Sequence, residues 1–312
     1  MNYQSDELNV LFSSDDNYAQ HLAAAIYSLL IHNASFNRIS IYVIDNEISP
    51  ESHDKLVQVV NSFKNAYIVF LDFAKWKSKL KLNLAWDISL SSYARLFMGD
   101  ILPEPVNRAL YLDCDMIICG SLYQLWNHDL GEHIIGAVQD CVSQATKTCV
   151  GLKKSEGYFN AGMLLVDLYR WREDDIGQRC IEFIEGKNGT VGHHDQGVLN
   201  GIFRNRWTRL PLRYNLMTIN YFLSAERMKK YFGDSADYYS KEEITQSKDH
   251  PSIIHYTPSF TSRPWFSNCC HPLKEKYWES LLHTPWKDAT PQKDTSKWYV
   301  RLQGWRYRYL PM

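Results

Sequence analysis

Ala109-Leu110-Tyr111-Leu112-Asp113-Cys114-Asp115-Met116-Ile117-Ile118 sets two carboxylates one residue apart inside an apolar run. A run this short, carrying a Tyr and isoleucines, reads as a buried strand. Carboxylates are costly in such surroundings unless they are paired or bound to a cation. In an extended segment residues i and i+2 share a face, so Asp113 and Asp115 can converge on one point. Two readings follow. One is a divalent cation held by oxygen ligands at a strand end; the other is a turn with two solvated acids, a place where Asp is common.

Upstream, Leu8 to Phe12, Ile39 to Ile44 and Ala66 to Phe70 read as strands. Helical periodicity from His21 to Ile31 separates the first two, and a helix opened by the N-cap signal Ser49-Pro50-Glu51 separates the next two. This alternation predicts an α/β fold with a mostly parallel central sheet and crossover helices. Ligands of such sheets sit at the carboxyl ends of the strands, which is where Asp15 and Asn17 fall. Ser13 to Asn17 also reads as a helix N-cap. The Gly-x-Gly-x-x-Gly fingerprint and the Walker loop are both absent, so a nucleotide here would be gripped by side chains and a metal.

Downstream, Ser89 to Leu102 reads as a helix in which Arg95 sits among apolar neighbours, a position that calls for a carboxylate or phosphate partner. Ile134 to Val138 reads as a strand ending in Gln139-Asp140. The polar stretch Cys141 to Glu156 reads as a mobile loop over a site. Tyr158-Phe159-Asn160-Ala161-Gly162 reads as a tight turn before the strand Met163 to Val166, with one helix following from about Leu168 to Ile184. Adjacent histidines seldom point at one ion, so Asp195 and Gln196, rather than His193-His194, are the expected pocket residues. Ile253-Ile254-His255-Tyr256 reads as a late, short strand ending in a His, and a lone His after an apolar pair is more often structural than a ligand. Asp-x-Asp supplies only two protein ligands, and carboxylates with imidazole suit manganese.

The chain has 312 residues, 45% of them apolar, and a net charge of −1, which gives no general pull toward nucleic acid. Its seven cysteines form no C-x-x-C pair and no disulfide-like framework, as expected of reduced thiols in a cytoplasmic protein. No signal peptide is recognisable, and no apolar run approaches the ~20 residues that span a bilayer. The segment Lys297 to Met312 interleaves Trp298, Tyr299, Trp305, Tyr307 and Tyr309 with Lys297, Arg301, Arg306 and Arg308 and holds no acid. Such a mixture suits an anionic membrane surface or a segment docked on the domain. The expected organisation is one domain over residues 1–286 and a small C-terminal extension over 287–312.

With these residues in place, the chain resembles the retaining glycosyltransferases of family 8, most of all the bacterial galactosyl- and glucosyltransferases that extend lipopolysaccharide or lipooligosaccharide. The marks are Phe12-Ser13-Ser14-Asp15-Asp16-Asn17-Tyr18, Tyr93-Ala94-Arg95-Leu96, Leu110 to Asp115, Tyr158 to Gly162, Asp195-Gln196, Ile254-His255-Tyr256-Thr257 and Thr284-Pro285-Trp286-Lys287-Asp288. The resemblance runs from Val10 to about Pro291. It implies a single Rossmann-like nucleotide-diphosphate-sugar domain of the glycosyltransferase A type. It implies a UDP-galactose or UDP-glucose donor, a glycan or glycolipid acceptor, and Mn²⁺ (or Mg²⁺) held by Asp113, Asp115 and His255. Ser13, Asp15, Asn17, Cys114, Asp140, Asn160 and Arg263 then match donor-binding positions, with Asp113. Arg95, Asp195 and Gln196 match positions around the reacting sugar.

There are departures. Pro258, which has no N–H, stands where the family commonly has Gly after His-Tyr-Thr. Arg263-Pro264-Trp265-Phe266 replaces Lys-Pro-Trp-His two residues later than usual, although Arg also grips phosphate. Asp87 stands where some galactosyltransferases place a His. Two other readings share the fold: a nucleotidyltransferase, which usually has a basic, glycine-rich first loop, and a non-catalytic sugar-nucleotide binder.

Overall fold

The computed structural model describes residues 5–79, 90–233 and 238–294. Its larger sheet has seven strands in the order β3-β2-β1-β4-β7-β6-β8. They are β1 (Glu7–Ser14), β2 (Arg38–Asp45), β3 (Ala66–Asp72), β4 (Arg108–Leu112), β6 (Ile135–Gln139), β7 (Phe159–Asp167) and β8 (Thr208–Arg209). Pairings are parallel except where β7 runs against β4 and β6. A smaller sheet orders β5 (Met116–Ile118), β10 (Ile253–His255) and β9 (Leu216–Met217). The α/β expectation holds.

The first two crossovers form where the sequence places them. The helix Ala19–His32 buries Leu22, Ala25, Ile26, Leu29 and Leu30 against the sheet. The helix Pro50–Asn61 starts with Pro in its first turn, and the Ser49 hydroxyl accepts from Ser52 N, meeting an otherwise orphaned donor. Both faces of the sheet are covered, as parallel strands with continuous apolar runs require.

Several local expectations need correction. Ala109 to Ile118 is two strands in two sheets, broken at Asp113-Cys114-Asp115. The helix expected over Ser89 to Leu102 is, in its described part, a 3₁₀ segment Leu90–Phe97 followed by a short α-helix Met98–Ile101. The one expected over Leu168 to Ile184 is two, Leu168–Glu173 and Ile176–Gly186, parted at Asp175 in the left-handed region (φ 49°). Cys141 to Glu156 contains a helix, Gln144–Cys149, capped by Ser143. Lys147 is buried there and donates to the carbonyls of Lys154 and Glu156, which ties the stretch together.

Phe159 to Gly162 is not a turn before a strand but the start of β7. Its register against β6 jumps between Ala137, opposite Leu164, and Val138, opposite Asn160. Residues 161–163 therefore bulge away from β6, while Met163 still pairs with Leu112 of β4 and Gly162 O accepts from Asp113 N just past its end. Bulges of this kind re-aim side chains beside functional sites.

Among the described residues no helix is long and apolar enough to cross a membrane. Asp87 and Lys297 to Met312 lie outside the described residues.

Candidate metal centre and donor pocket

Topology brings the expected residues to one edge. β1, β4 and β6 point the same way, so the segment after β1, Asp113 after β4 and Asp140 after β6 share an end of the sheet. β7 runs opposite, and its second residue, Asn160, lies at that same end.

Asp113 and Asp115 are tied to different sheets. Asp113 N donates to Gly162 O of β7 (2.8 Å), whereas Asp115 O accepts from Tyr256 N just beyond β10 (2.9 Å). β10 lies antiparallel to β5 with His255 opposite Met116, which sets the imidazole beside Asp115. Ligand atoms of Asp113, Asp115 and His255 all fall within 4.8 Å of one another. His255 Nε2 is 3.1 Å from Asp115 Oδ1 and 3.8 Å from Asp113 Oδ2. Two bare carboxylates this close repel by about 3.5 kcal/mol or more at an effective dielectric near 20, so the pair needs positive charge.

Arginines supply part of it. Arg95, buried between layers, reaches Asp113 Oδ1 (2.8 Å) and Asp195 Oδ2 (2.9 Å), donates to the carbonyl of Ala161 and lies over the Tyr111 ring. Arg263 Nε reaches Asp115 Oδ2 (2.8 Å). Burial alone would raise the Asp115 carboxyl, but Arg263 and His255 bring it well below the usual carboxylate range. For Asp195 burial wins over Arg95, and its carboxyl is raised.

The space between these groups is kept by a glycine. A Cβ on Gly162 would overlap His255 Cε1 and lie 2.8 Å from Asp113 Oδ2 and 3.0 Å from Asn160 Oδ1. Two carboxylates and one imidazole around a gap that a single methyl would fill are a donor set suited to a divalent cation such as Mn²⁺.

A second polar cluster adjoins it. The bulge in β7 displaces amides from the ladder, and buried amides must find acceptors. Gln196 Oε1 accepts from Ala161 N (3.0 Å) and Asn160 Nδ2 (3.2 Å), while Asn160 Oδ1 accepts from Gly162 N (3.0 Å). Gln196 Nε2 donates to Asp140 Oδ2 (3.1 Å). Burial raises the Asp140 carboxyl despite the hydrogen bonds from Asn160 and Gln196. Asp195 and Gln196 ride the first turn of the helix His194–Phe203. That turn is entered through His193 and His194, both at positive φ (59° and 53°), a strained approach of the kind stored at functional sites. Neither histidine joins the metal-ligand group.

The β1 segment lies beside the centre. Cys114 Sγ donates to Ser13 O (3.3 Å), joining the turn to the end of β1. Asp15 caps the 3₁₀ turn Asp16–Tyr18 by accepting from Tyr18 N, and Asn17 is exposed. Pro258 is exposed in the turn after His255.

Three residues of the site escape sequence reading. Asn215, fully buried, accepts from His255 Nδ1 (2.9 Å) and donates to Asn160 Oδ1 (2.8 Å), linking the two clusters. Nothing in Leu212-Arg213-Tyr214-Asn215 signals this. Tyr111 donates to Asp113 Oδ1 (2.9 Å); its two-residue spacing from Asp113 on one strand face was the available clue. Gly162 was legible only as part of a turn.

Comparison with known proteins bears on the fold and the family. The model of the family described as glycosyl transferase family 8 matches residues 9–269. Glycosyltransferase GlyB of Streptococcus pneumoniae is 30% identical over 92% of this chain, which spans 64% of that protein. Lipopolysaccharide 1,2-glucosyltransferase of Escherichia coli is 26% identical over 92% of this chain and 81% of its own length. The crystal structure of galactosyltransferase LgtC with donor and acceptor sugar analogues superposes with a TM-score of 0.72, at 26% identity, over 95% of this chain and all of that one.

Proposed function

The chain belongs to glycosyl transferase family 8, and on that footing we propose that it transfers galactose or glucose from a UDP-sugar to a glycan or glycolipid acceptor with retention of configuration. Lipopolysaccharide or another bacterial surface glycan is the pathway the relatives favour. The observation that carries the reading is the convergence of Asp113, Asp115 and His255 next to Asp140, Asn160, Asp195 and Gln196. Family membership supports sugar transfer over nucleotidyl transfer, and the intact ligand set argues against a pure binder. Residues 1–286 form the catalytic unit in this reading, and 287–312 attach it to the inner face of the plasma membrane.

Asp113, Asp115 and His255 would hold a divalent cation such as Mn²⁺ or Mg²⁺, which would supply Lewis-acid stabilisation of the charge that develops on a departing nucleoside diphosphate. The protein therefore needs no protonated carboxyl to help the leaving group, unlike a glycoside hydrolase. Ser13, Asp15, Asn17 and Cys114 line the nucleotide side. Asp140, Asn160 and Asp195 offer hydrogen-bond partners to sugar hydroxyls, with Arg95 fixing Asp195 and Asp113 together.

Gln196 supports same-face attack through an oxocarbenium-like state. Its Oε1 is already shared by two donors, Ala161 N and Asn160 Nδ2, and an amide is a poor nucleophile to begin with. It is better suited to line the reacting face and stabilise positive charge there.

The test is release of UDP from a panel of UDP-sugars, without acceptor, with Mn²⁺ and with chelator. Slow Mn²⁺-dependent hydrolysis of one hexose donor, lost in Asp113→Ala and Asp115→Ala, is expected. Undiminished turnover in either variant would overturn the metal assignment. Absence of both turnover and calorimetric UDP–Mn²⁺ binding would overturn the reading as a whole.

A further inference from the structure

We propose that a cavity at the far end of the small sheet is a second binding site, for a phosphate ester, built around Arg213 and Lys248 and separate from the donor pocket. The cavity encloses about 770 Å³. Ser252 and Ile254 belong to its wall, and β10, which follows Ser252, ends in His255. The cavity and the metal centre thus lie toward opposite ends of one short strand, about 10 Å apart along it.

Backbone pairing gathers the wall. Ser252 N donates to Arg213 O (2.9 Å), and Ser252 O accepts from Cys119 N (2.8 Å). The 3₁₀ turn Leu212–Tyr214 and the segment after β5 are therefore held against the start of β10. The helix Lys241–Asp249 ends at the same place and brings Lys248, Asp249 and, just beyond it, His250. Lys276 comes from another element, the helix Glu275–Leu281.

Charge on this wall runs against that of the chain. The whole chain carries −1, yet here three cations, Arg213, Lys248 and Lys276, share the lining with one acid, Asp249. Lys276 is spent on Glu279 (2.8 Å). The other two cations are not spent. Arg213 Nη2 donates to Gln124 Oε1 (2.7 Å) and Tyr214 Oη (2.6 Å), and the guanidinium lies 4.7 Å from the centroid of the Tyr214 ring. These neutral partners fix the side chain and leave its charge uncompensated, while Nε and Nη1 make no hydrogen bond among the described residues. Lys248 is partly buried and has no hydrogen-bond or ion-pair partner among the described residues, and burial lowers its ammonium. A helix C-terminus favours a cation, which accounts for Lys248 but not for Arg213.

A partly buried cation without a counter-ion is costly, and a bound anion would supply the missing charge. A guanidinium fork beside an ammonium suits phosphate, the fork giving paired donors and the lysine a point charge. The volume is that of a small-molecule site rather than of a bare ion. The phosphate therefore comes with a body attached, either a soluble sugar or a lipid.

Calorimetric titration of glucose 6-phosphate into the full chain, with glucose as the uncharged control and with saturating UDP and Mn²⁺ to fill the donor pocket, tests the soluble source. Sedimentation with phosphatidylcholine vesicles, with and without phosphatidic acid, tests the lipid source. The native chain is compared with Arg213→Gln, Lys248→Gln and Asp249→Asn. The native chain is expected to bind at least one phosphate probe and not its uncharged counterpart. Arg213→Gln and Lys248→Gln should each weaken that binding about tenfold, the scale of one charge-assisted hydrogen bond, and Asp249→Asn should tighten it. Should Arg213→Gln fail to fold, the opposite signs expected of Lys248→Gln and Asp249→Asn decide the matter. If the native chain binds neither probe, or the glutamine variants bind as the native chain does, the inference is overturned. Failure of UDP and Mn²⁺ to bind would instead overturn the reading of the donor site.

Discussion

His255 Nδ1 lies 2.9 Å from the side-chain oxygen of Asn215, and this leaves Nε2 facing Asp115 at 3.1 Å. The amide oxygen can only accept, so it keeps a proton on Nδ1 and makes Nε2 the nitrogen that a cation would take. Asn215→Leu should weaken Mn²⁺–UDP binding by about 10- to 100-fold, the usual loss for a partner of a metal-bound histidine. Calorimetry of the variant checks this, and unchanged affinity would remove Asn215 from the site.

Gly162→Ala tests whether the gap between the ligands is functional. Gly162 is not among the positive-φ glycines, so the new methyl costs space rather than backbone strain. It would press on His255, Asp113 and Asn160 together. Metal-dependent turnover should fall by about 100-fold, as small misplacements in a reacting centre do, while the melting temperature moves by only a few degrees.

Removing the Arg95 charge should be costly to the fold itself. Arg95→Met leaves Asp113 and Asp195 without their shared cation in a buried setting. Breaking such a pair costs about 3–5 kcal/mol, read as a lower urea midpoint. A midpoint within error of native would mean the ion pairs are solvated and contribute little.

Acid sensitivity should trace partly to His21. Burial pushes its imidazole down to about 3, between Trp265, stacked at 3.6 Å, and the Tyr277 hydroxyl at 2.8 Å. The neutral form is the one the fold favours. That stability is fully present above the unfolded value of about 6.5 and is lost as pH falls toward 3. Between pH 6.5 and 4.5 the native chain should lose roughly 2 kcal/mol through this group. His21→Phe should flatten the melting-temperature profile in that window, whatever its absolute stability.

Deleting Lys297 to Met312 should weaken binding to anionic liposomes and spare turnover on a soluble acceptor. The four basic and five aromatic residues of that segment motivate the expectation. Equal liposome binding by the shortened chain would remove the membrane role.

Period and punctuation in the sequence were enough for β1, β2, β3 and the two crossover helices, because each is a local pattern read against a buried sheet. They were also enough to single out Asp113, Asp115 and His255, since carboxylates and an imidazole at the ends of apolar runs violate the local rule and so announce a reason. Local pattern could not see three things. It could not show that Asp113 and Asp115 hang on different sheets, because sheet membership is decided by partners far along the chain. It missed the bulge in β7, which depends on register against β4 and β6 and sends Ala161 N to Gln196. It missed Asn215, whose importance comes only from standing between His255 and Asn160. Residue chemistry determined which groups could bind a cation. Long-range strand pairing decided that they meet, at what distances, and with which arginine on each carboxylate.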